Sequence, residues 1–278
     1  MNKTNPNFQD ISKDPEKGSD SVINPPEVRS YPKMIFGSNT TILNIEESIF
    51  NAGLVVLDMA GTTVADDGAV LSAFHDTAVA MGINVSSPNF DQMMLYVKET
   101  MGQSKIVVFE EIFKDKVAAS QANDLFEGFY KDQVIKYGVT EIEGASQLFS
   151  TLRNRGIKVA LTTGFSYETM SLLLEKLSFT IKIDAAICPR RTIKGRPYPD
   201  MILHAMAILE VDDPRKVVVL GDTPSDMKSG RAANAALVAG VLSGSAEADE
   251  LLNGGADLVI NSVADIATLF YAFGKAIL

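Results

Sequence analysis

The chain has 278 residues, 46% of them hydrophobic and 22% charged, with a formal net charge of −10. That length holds one large domain or a core with a smaller inserted one, and the acidity argues against nucleic acid and anionic membrane surfaces as partners. A single cysteine excludes an intrachain disulfide framework and fits a reducing cytoplasm, where the protein is expected, and no apolar run approaches the length of a membrane span.

Residues 1–30 are polar and punctuated by Asn5-Pro6, Asp14-Pro15 and Asn24-Pro25-Pro26. They carry too few apolar groups to offset ordering entropy, so a disordered tail without a catalytic role is expected, and no apolar signal-peptide core is present. Leu54-Val55-Val56-Leu57 then reads as a buried parallel strand. Four apolar stripes at helical spacing follow: Val70, Leu71, Phe74, Ala78 and Met81; Phe90, Met93, Met94 and Val97; Ile106, Phe109, Phe113 and Val117; and Phe126, Tyr130, Val134 and Tyr137. Four helices without an intervening strand predict a helical cap domain over residues 70–138. Strand-helix alternation resumes with a strand at 157–162 and a helix marked by Met170, Leu173, Leu174 and Leu177. A strand at 185–187, a helix at 200–209 and strands at 217–220, 236–241 and 258–260 complete the pattern. The predicted class is α/β, a doubly wound parallel sheet formed by residues 51–69 and 139–278, with the cap over the carboxyl ends of its strands.

The chemistry begins where the first strand ends, at Asp58-Met59-Ala60-Gly61-Thr62-Thr63-Val64. An open α/β sheet presents its reactive groups at the carboxyl ends of strands. The string resembles the nucleophile motif of the haloacid dehalogenase superfamily, whose phosphatase members read D-x-D-G-T. There the first Asp attacks phosphorus and the second protonates the departing alkoxide. Here the second position is Ala60, whose methyl group cannot donate a proton. Thr162-Thr163-Gly164 leads from a strand into a helix and suits a phosphate, although it would equally be a routine connection. Gly195-Arg196-Pro197-Tyr198-Pro199 offers an arginine among rigid prolines, as a phosphate contact or as a solvated turn. Gly221-Asp222-Thr223-Pro224-Ser225-Asp226 puts two carboxylates at a strand end, where hard oxygen ligands suit Mg²⁺; Asp226 would also serve as a helix cap. In the cap, Met101-Gly102-Gln103-Ser104-Lys105 places a lysine at a helix start. A lysine there is ordinarily solvated, but the helix dipole and burial would both disfavour its ammonium form and leave a nucleophilic amine.

Together these segments resemble phosphonoacetaldehyde hydrolase (phosphonatase) and the phosphonatase-like branch of the haloacid dehalogenase superfamily, over about residues 52 to 242. That family reads D-x-A-G-T-T-V at the nucleophile and M-G-x-x-K in the cap, followed by T-T-G, G-R-P-Y-P and G-D-T-x-S-D-M-K. Asp58 with Ala60 and Lys105 is the discriminating combination, since the later motifs alone identify only the superfamily.

The resemblance implies a Mg²⁺-dependent hydrolase that cleaves the carbon-phosphorus bond of phosphonoacetaldehyde or a related phosphonoaldehyde. Lys105 would form a Schiff base with the aldehyde and Asp58 would attack phosphorus, giving an aspartyl phosphate. Mg²⁺ would be held by Asp58, the Ala60 carbonyl and Asp222, supported by Asp226. Thr163, Gly164 and Arg196 would grip the phosphonate, with Ala60 and Met101 lining the substrate. The expected partner is a small phosphonate, with no nucleic acid and no membrane, and the sequence leaves room for a homodimer. Three departures from phosphonatase favour the phosphonatase-like branch: Val108 replaces a histidine, Phe165 replaces a tyrosine, and Arg190-Arg191 stands where phosphonatase has an acidic pair. Ala69 replaces the usual cysteine near the start of the cap, and His75 is expected on a helix surface. The competing readings are a small-molecule phosphomonoesterase of the same fold and a noncatalytic phospho-ligand binder.

Overall fold

The computed structural model describes residues 33–273, except Asn39 and Asp66. The expected disordered tail, residues 1–30, lies outside the described residues. The described residues form a sheet of seven strands in the order β1-β7-β6-β5-β2-β3-β4. These are β1 (Ile35–Phe36), β2 (Leu54–Asp58), β3 (Lys158–Thr162), β4 (Ala185–Ile187), β5 (Val217–Gly221), β6 (Leu237–Val241) and β7 (Leu258–Ile260). All neighbours are parallel except β1, which runs antiparallel to β7 at the edge.

Every residue of β2, β5 and β6 is buried. A parallel strand covered on both faces needs apolar side chains in both directions, which is why these strands read as runs and not as alternations. The period of two survives inside the runs. Val55, Leu57, Val159, Leu161, Val218 and Leu220 enter one apolar layer, whereas Leu54, Val56, Ala160, Val217 and Val219 enter the other. The first layer is closed by α1 (Ile42–Phe50), α6 (Ala145–Asn154) and α11 (Val263–Phe273), and the second by α8 (Asp200–Ile208) and α9 (Pro224–Ala232). Helices α7 (Tyr167–Lys176) and α10 (Ala248–Gly254) complete the alternation.

Between β2 and α6 the chain makes α2 (Ala69–Ala80), α3 (Pro88–Glu99), α4 (Lys105–Phe113) and α5 (Lys116–Tyr137). Local chemistry sets their ends. Ser87 caps α3 by accepting from the Phe90 N–H, with Pro88 in the first turn, and Asp115 caps α5 by accepting from the Ala118 N–H. The stripe Ile106, Phe109, Phe113 and Val117 is not one helix. Lys114 adopts a left-handed conformation at φ 52°, which stops α4, and Val117 belongs to α5 with its side chain in solvent. Periodicity did not register that break because the turn costs too few residues to disturb the spacing. Phe74, Phe109 and Phe126 form the centre of the insertion, with ring centroids 4.6–6.0 Å apart.

The register decides where chemistry collects. Asp58 pairs with Thr162 across β2 and β3, and Leu57 pairs with Leu220 across β2 and β5. The carboxyl ends of three adjacent strands therefore deliver Asp58, Thr163 and Asp222 to one edge of the sheet, where a parallel sheet keeps its ligand crevice.

Candidate active site

Asp58 is the last residue of β2, Asp222 follows β5, and Asp226 lies in the first turn of α9. All three are buried, and one oxygen from each lies within 4.8 Å of the others. The Gly61-Thr62-Thr63 turn builds the wall beside them. Gly61 has φ 86° and abuts the Asp222 carboxylate, so a side chain there would be both strained and obstructed. The Thr63 hydroxyl donates to the Asp58 carbonyl at 2.9 Å. Asp222 accepts from the Thr62 hydroxyl at 3.2 Å, from the Ser245 N–H at 2.9 Å and from the Ser245 hydroxyl at 3.2 Å. Asp226 forms a capping box with Thr223 at the start of α9 and also ion-pairs with Arg196. It is thus a helix cap and a member of the carboxylate cluster at once. Ala60 sits at the turn between β2 and Gly61, bridged to Val64, and leaves the position of a second acid to a methyl group.

Arg196 is buried among these carboxylates, its Nη1 2.6 Å from Asp58 Oδ1 and also paired with Asp226. Its Nε and Nη2 are buried without a hydrogen-bond partner in the structure. Nη1 of the guanidinium therefore serves the carboxylates, while the N–H donors on Nε and Nη2 remain for an anion. Burial pushes the Asp58 carboxyl well above its usual range against the pull of Arg196, and the charges of Asp226 and Asp222 add to the rise. Burial and the neighbouring Asp226 push Asp222 up to about 6, opposed by Ser245 and Arg196. Burial works against the Arg196 charge, but Asp226 and Asp58 outweigh it and hold that guanidinium protonated. Three desolvated carboxylates face one guanidinium, and this all-oxygen, negatively charged donor set fits a hard divalent cation.

The insertion closes on this edge through the loop before α4. The Lys105 N–H donates to the Gly164 carbonyl at 3.4 Å. A Cβ on Gly164 would collide with the Gln103 carbonyl, and one on Gly102 with the Thr223 hydroxyl. These glycines allow loop and core to approach backbone to backbone. Thr163 is also committed locally, since its N–H donates to the Ile187 carbonyl and its hydroxyl accepts from the Phe165 N–H. The N–H of Thr163 thus already has a partner. Met101 is half-buried against the core of the insertion.

Lys105 is the first residue of α4 and is 6% exposed. Its Nζ lies 5.7 Å from the Phe74 ring centroid, 5.9 Å from Phe126 and 5.5 Å from Phe165. Val108 and Phe165, two of the positions that depart from phosphonatase, are buried, and Phe165 forms one wall of this aromatic enclosure. Tyr130 packs on Phe165 with centroids 4.5 Å apart and is 1% exposed. His75 is exposed on α2 and bonds Asp76 at 3.2 Å.

Glu127 and Tyr130 were not distinguishable from the sequence, because both fall in the ordinary pattern of α5. Glu127 is buried and accepts from the Ser166 N–H at 3.0 Å, the Ser166 hydroxyl at 2.6 Å and the Thr169 hydroxyl. A carboxylate of the insertion thereby satisfies the N-terminus of α7, immediately after Phe165. An open cavity of about 830 Å³ runs along this seam, lined by Lys105, Glu127, Phe165 and Arg196 and opening past Arg190 and Arg191.

No helix among the described residues is long and apolar enough to cross a membrane. The chain is 30% identical over 206 residues to phosphonoacetaldehyde hydrolase from Bacillus mycoides, covering 69% of this chain and 76% of that protein. Among solved structures it is similar to a hydrolase from Pseudomonas syringae, with TM-score 0.68, 20% identity and coverage of 77% and 95% of the two chains. It is also similar to a phosphonoacetaldehyde hydrolase like protein from Oleispira antarctica, with TM-score 0.67, 22% identity and coverage of 81% and 93%. Residues 55–240 match the haloacid dehalogenase-like hydrolase family, a span of well over half the chain that holds Asp58, Arg196, Asp222 and Asp226, and the protein belongs to that family.

Proposed function

We propose that this protein is a Mg²⁺-dependent hydrolase that cleaves the carbon-phosphorus bond of phosphonoacetaldehyde or a close phosphonoaldehyde, with residues 70–138 acting as its cap domain. The observation that carries the reading is a lysine buried in an aromatic enclosure, bonded through its own main-chain N–H to the loop beside the nucleophile strand, in a site where Ala60 stands in place of a second acid. The relative from Bacillus mycoides named phosphonoacetaldehyde hydrolase supports it.

In this reading the Lys105 amine condenses with the aldehyde and releases water. Arg196 orients the phosphonate, and Asp58 attacks phosphorus. The carbon-phosphorus electron pair moves into the protonated imine, leaving an enamine on Lys105 and phosphate on Asp58. Protonation at carbon and two hydrolyses return acetaldehyde, phosphate and the free enzyme, so one water is consumed overall. The departing group is a carbon stabilised by the imine and not an alkoxide, which makes a carboxylic acid at position 60 unnecessary. Asp58, Asp222 and Asp226 would hold Mg²⁺, together with the Ala60 carbonyl. The ion when bound offsets negative charge on the phosphoryl oxygens.

The same carboxylate cluster would serve a phosphate ester, so a small-molecule phosphomonoesterase is the second reading, and Ala60 weighs against it. A panel measuring phosphate release from phosphonoacetaldehyde, its 1-hydroxy form and simple phosphate esters separates the two. Turnover confined to the phosphonoaldehydes is expected. Turnover confined to esters would overturn the reading.

The phenol lost at Phe165 has a counterpart in Tyr130, whose ring lies against it. Tyr130→Phe is expected to slow imine formation about a hundredfold, the lower end for a positioned proton donor, with little change in melting temperature. An unchanged rate of borohydride trapping would remove Tyr130 from proton handling.

The metal has a signature that does not depend on turnover. Asp222 titrates near 6 instead of 3.8 in the folded state, and Asp58 is shifted in the same direction. Between those values the folded chain keeps protons that the unfolded chain has released, so these groups make stability fall as pH rises through the window. Mg²⁺ competes with the same protons. Its stabilisation, read as a melting-temperature shift against EDTA, should therefore be larger near pH 7 than near pH 5. A shift that is absent, or larger at the lower pH, would count against these carboxylates as its ligands.

A further inference from the structure

Arg190 and Arg191 have no role in the steps above, yet both line the cavity that reaches Lys105 and Arg196. They lie in the loop after β4 and are solvent-exposed, with Lys194 beside them on the same lining. Their bonding is unusual for this chain. Among the described residues, every other arginine donates to a carboxylate or a main-chain carbonyl: Arg153 to Ile181, Arg155 to Phe270, Arg196 to Asp58 and Asp226, Arg215 to Asp213 and Arg231 to Asp257. The Arg190 side chain bonds the His204 ring at 3.0 Å, Lys194 lies 4.5 Å from the Tyr198 ring centroid, and among the described residues Arg191 and Lys194 make no ion pair. In a chain of net charge −10 a carboxylate partner for each would be easy to supply. Instead three cations are left without carboxylates at the mouth of one cavity.

The acidic residues on that lining do not neutralise them. Glu127 is turned to Ser166 and Thr169, and Glu110 is exposed on α4 without an ion pair. A cavity of about 830 Å³ is also the size that takes a drug-sized ligand, far more than a two-carbon phosphonate fills. Low-dielectric walls lined by one sign of charge focus the field on an incoming ion of the other sign.

We infer that the substrate carries a second anionic group, a carboxylate on the carbonyl side of the molecule, which Arg190 and Arg191 bind while Arg196 holds the phosphonate. The inference rests on the proposal that the phosphonate occupies the inner end of this cavity. It makes the preferred substrate a β-keto phosphonate extended by an acidic tail, with phosphonoacetaldehyde the truncated form that the same lysine takes. Arginine suits that tail because its fork can take both carboxylate oxygens.

The test uses two probes that no imine mechanism can cleave, carboxybutylphosphonate and pentylphosphonate, titrated calorimetrically into the full chain with Mg²⁺ present. They differ only in carboxylate against methyl. The carboxylated probe should bind about tenfold tighter or more, the size of one charge-assisted hydrogen bond, and the gap should narrow with added salt. In Arg190→Gln/Arg191→Gln the gap should close, whereas Arg190→Lys/Arg191→Lys should retain part of it. Equal affinities for the wild type, failure of both probes to bind, or a gap that survives the glutamine pair overturns the inference. Because neither probe reacts, a wild-type gap that closes in the glutamine pair, with no phosphate release from any carbonyl phosphonate, would sink the carbon-phosphorus reading and leave the rim standing.

Discussion

Asp58→Asn is expected to lower phosphate release by a factor of about ten thousand or more, the loss typical of removing a group that forms a covalent intermediate, while the protein remains folded. The amide matches the carboxylate in shape but cannot attack phosphorus, and it is a weaker metal ligand. The fold should tolerate the change well. Burial already holds the Asp58 carboxyl above its usual range, so its ionised form is penalised in the metal-free protein at neutral pH. The amide removes that penalty and the repulsion from Asp222 and Asp226, while Arg196 keeps Asp226 as a partner. In EDTA near pH 7 the variant should therefore melt no lower than the wild type, and Mg²⁺ should stabilise it less. Turnover retained within about a hundredfold of wild type would mean that another group attacks.

Much of this site could be read from residue order, for a physical reason. A parallel strand covered on both faces must be apolar throughout, so Leu54–Leu57, Val217–Leu220 and Leu237–Val241 stand out as runs. A polar group that follows such a run is forced to the carboxyl edge, so residue order alone marks Asp58 and Asp222. What stayed hidden depends on contacts between distant segments. The pairing of β1 with β7 involves two residues on each strand, too few for any periodic signal. Ser245 bonds Asp222 from 23 residues away, and its position in a polar loop carries no mark of that role. Glu127 and Tyr130 follow the ordinary surface-and-core rhythm of α5, and only the docking of α5 on α7 turns them toward the site. Arg190 and Arg191 were visible as a departure from phosphonatase, but their lack of carboxylate partners is a property of the folded surface.

Lys105→Arg is expected to be about as inactive as Asp58→Asn, although it conserves the positive charge. Guanidinium stays protonated and cannot condense with an aldehyde. A lysine that merely held the phosphonate electrostatically would tolerate arginine better, so the variant separates the two roles. Bulk is a competing explanation, since Phe74, Phe126 and Phe165 leave little room around Nζ. Lys105→Met controls for it, because an unbranched apolar side chain fits the enclosure without an amine. Both variants should lose about ten thousandfold or more in turnover, a drop on the scale of a lost covalent step. The direct measurement is trapping. Borohydride added with phosphonoacetaldehyde should inactivate the wild type over minutes to hours and leave a reduced two-carbon group on the Lys105 peptide, identified by mass spectrometry. The adduct should lack phosphorus when reduction follows cleavage and retain it when reduction comes first, so its composition reports which imine accumulates. Ala60→Asp should not rescue either lysine variant, since a restored general acid assists only an alkoxide leaving group. A protein that turns over a phosphonoaldehyde, survives Lys105→Arg and is never trapped does not break the carbon-phosphorus bond through this lysine.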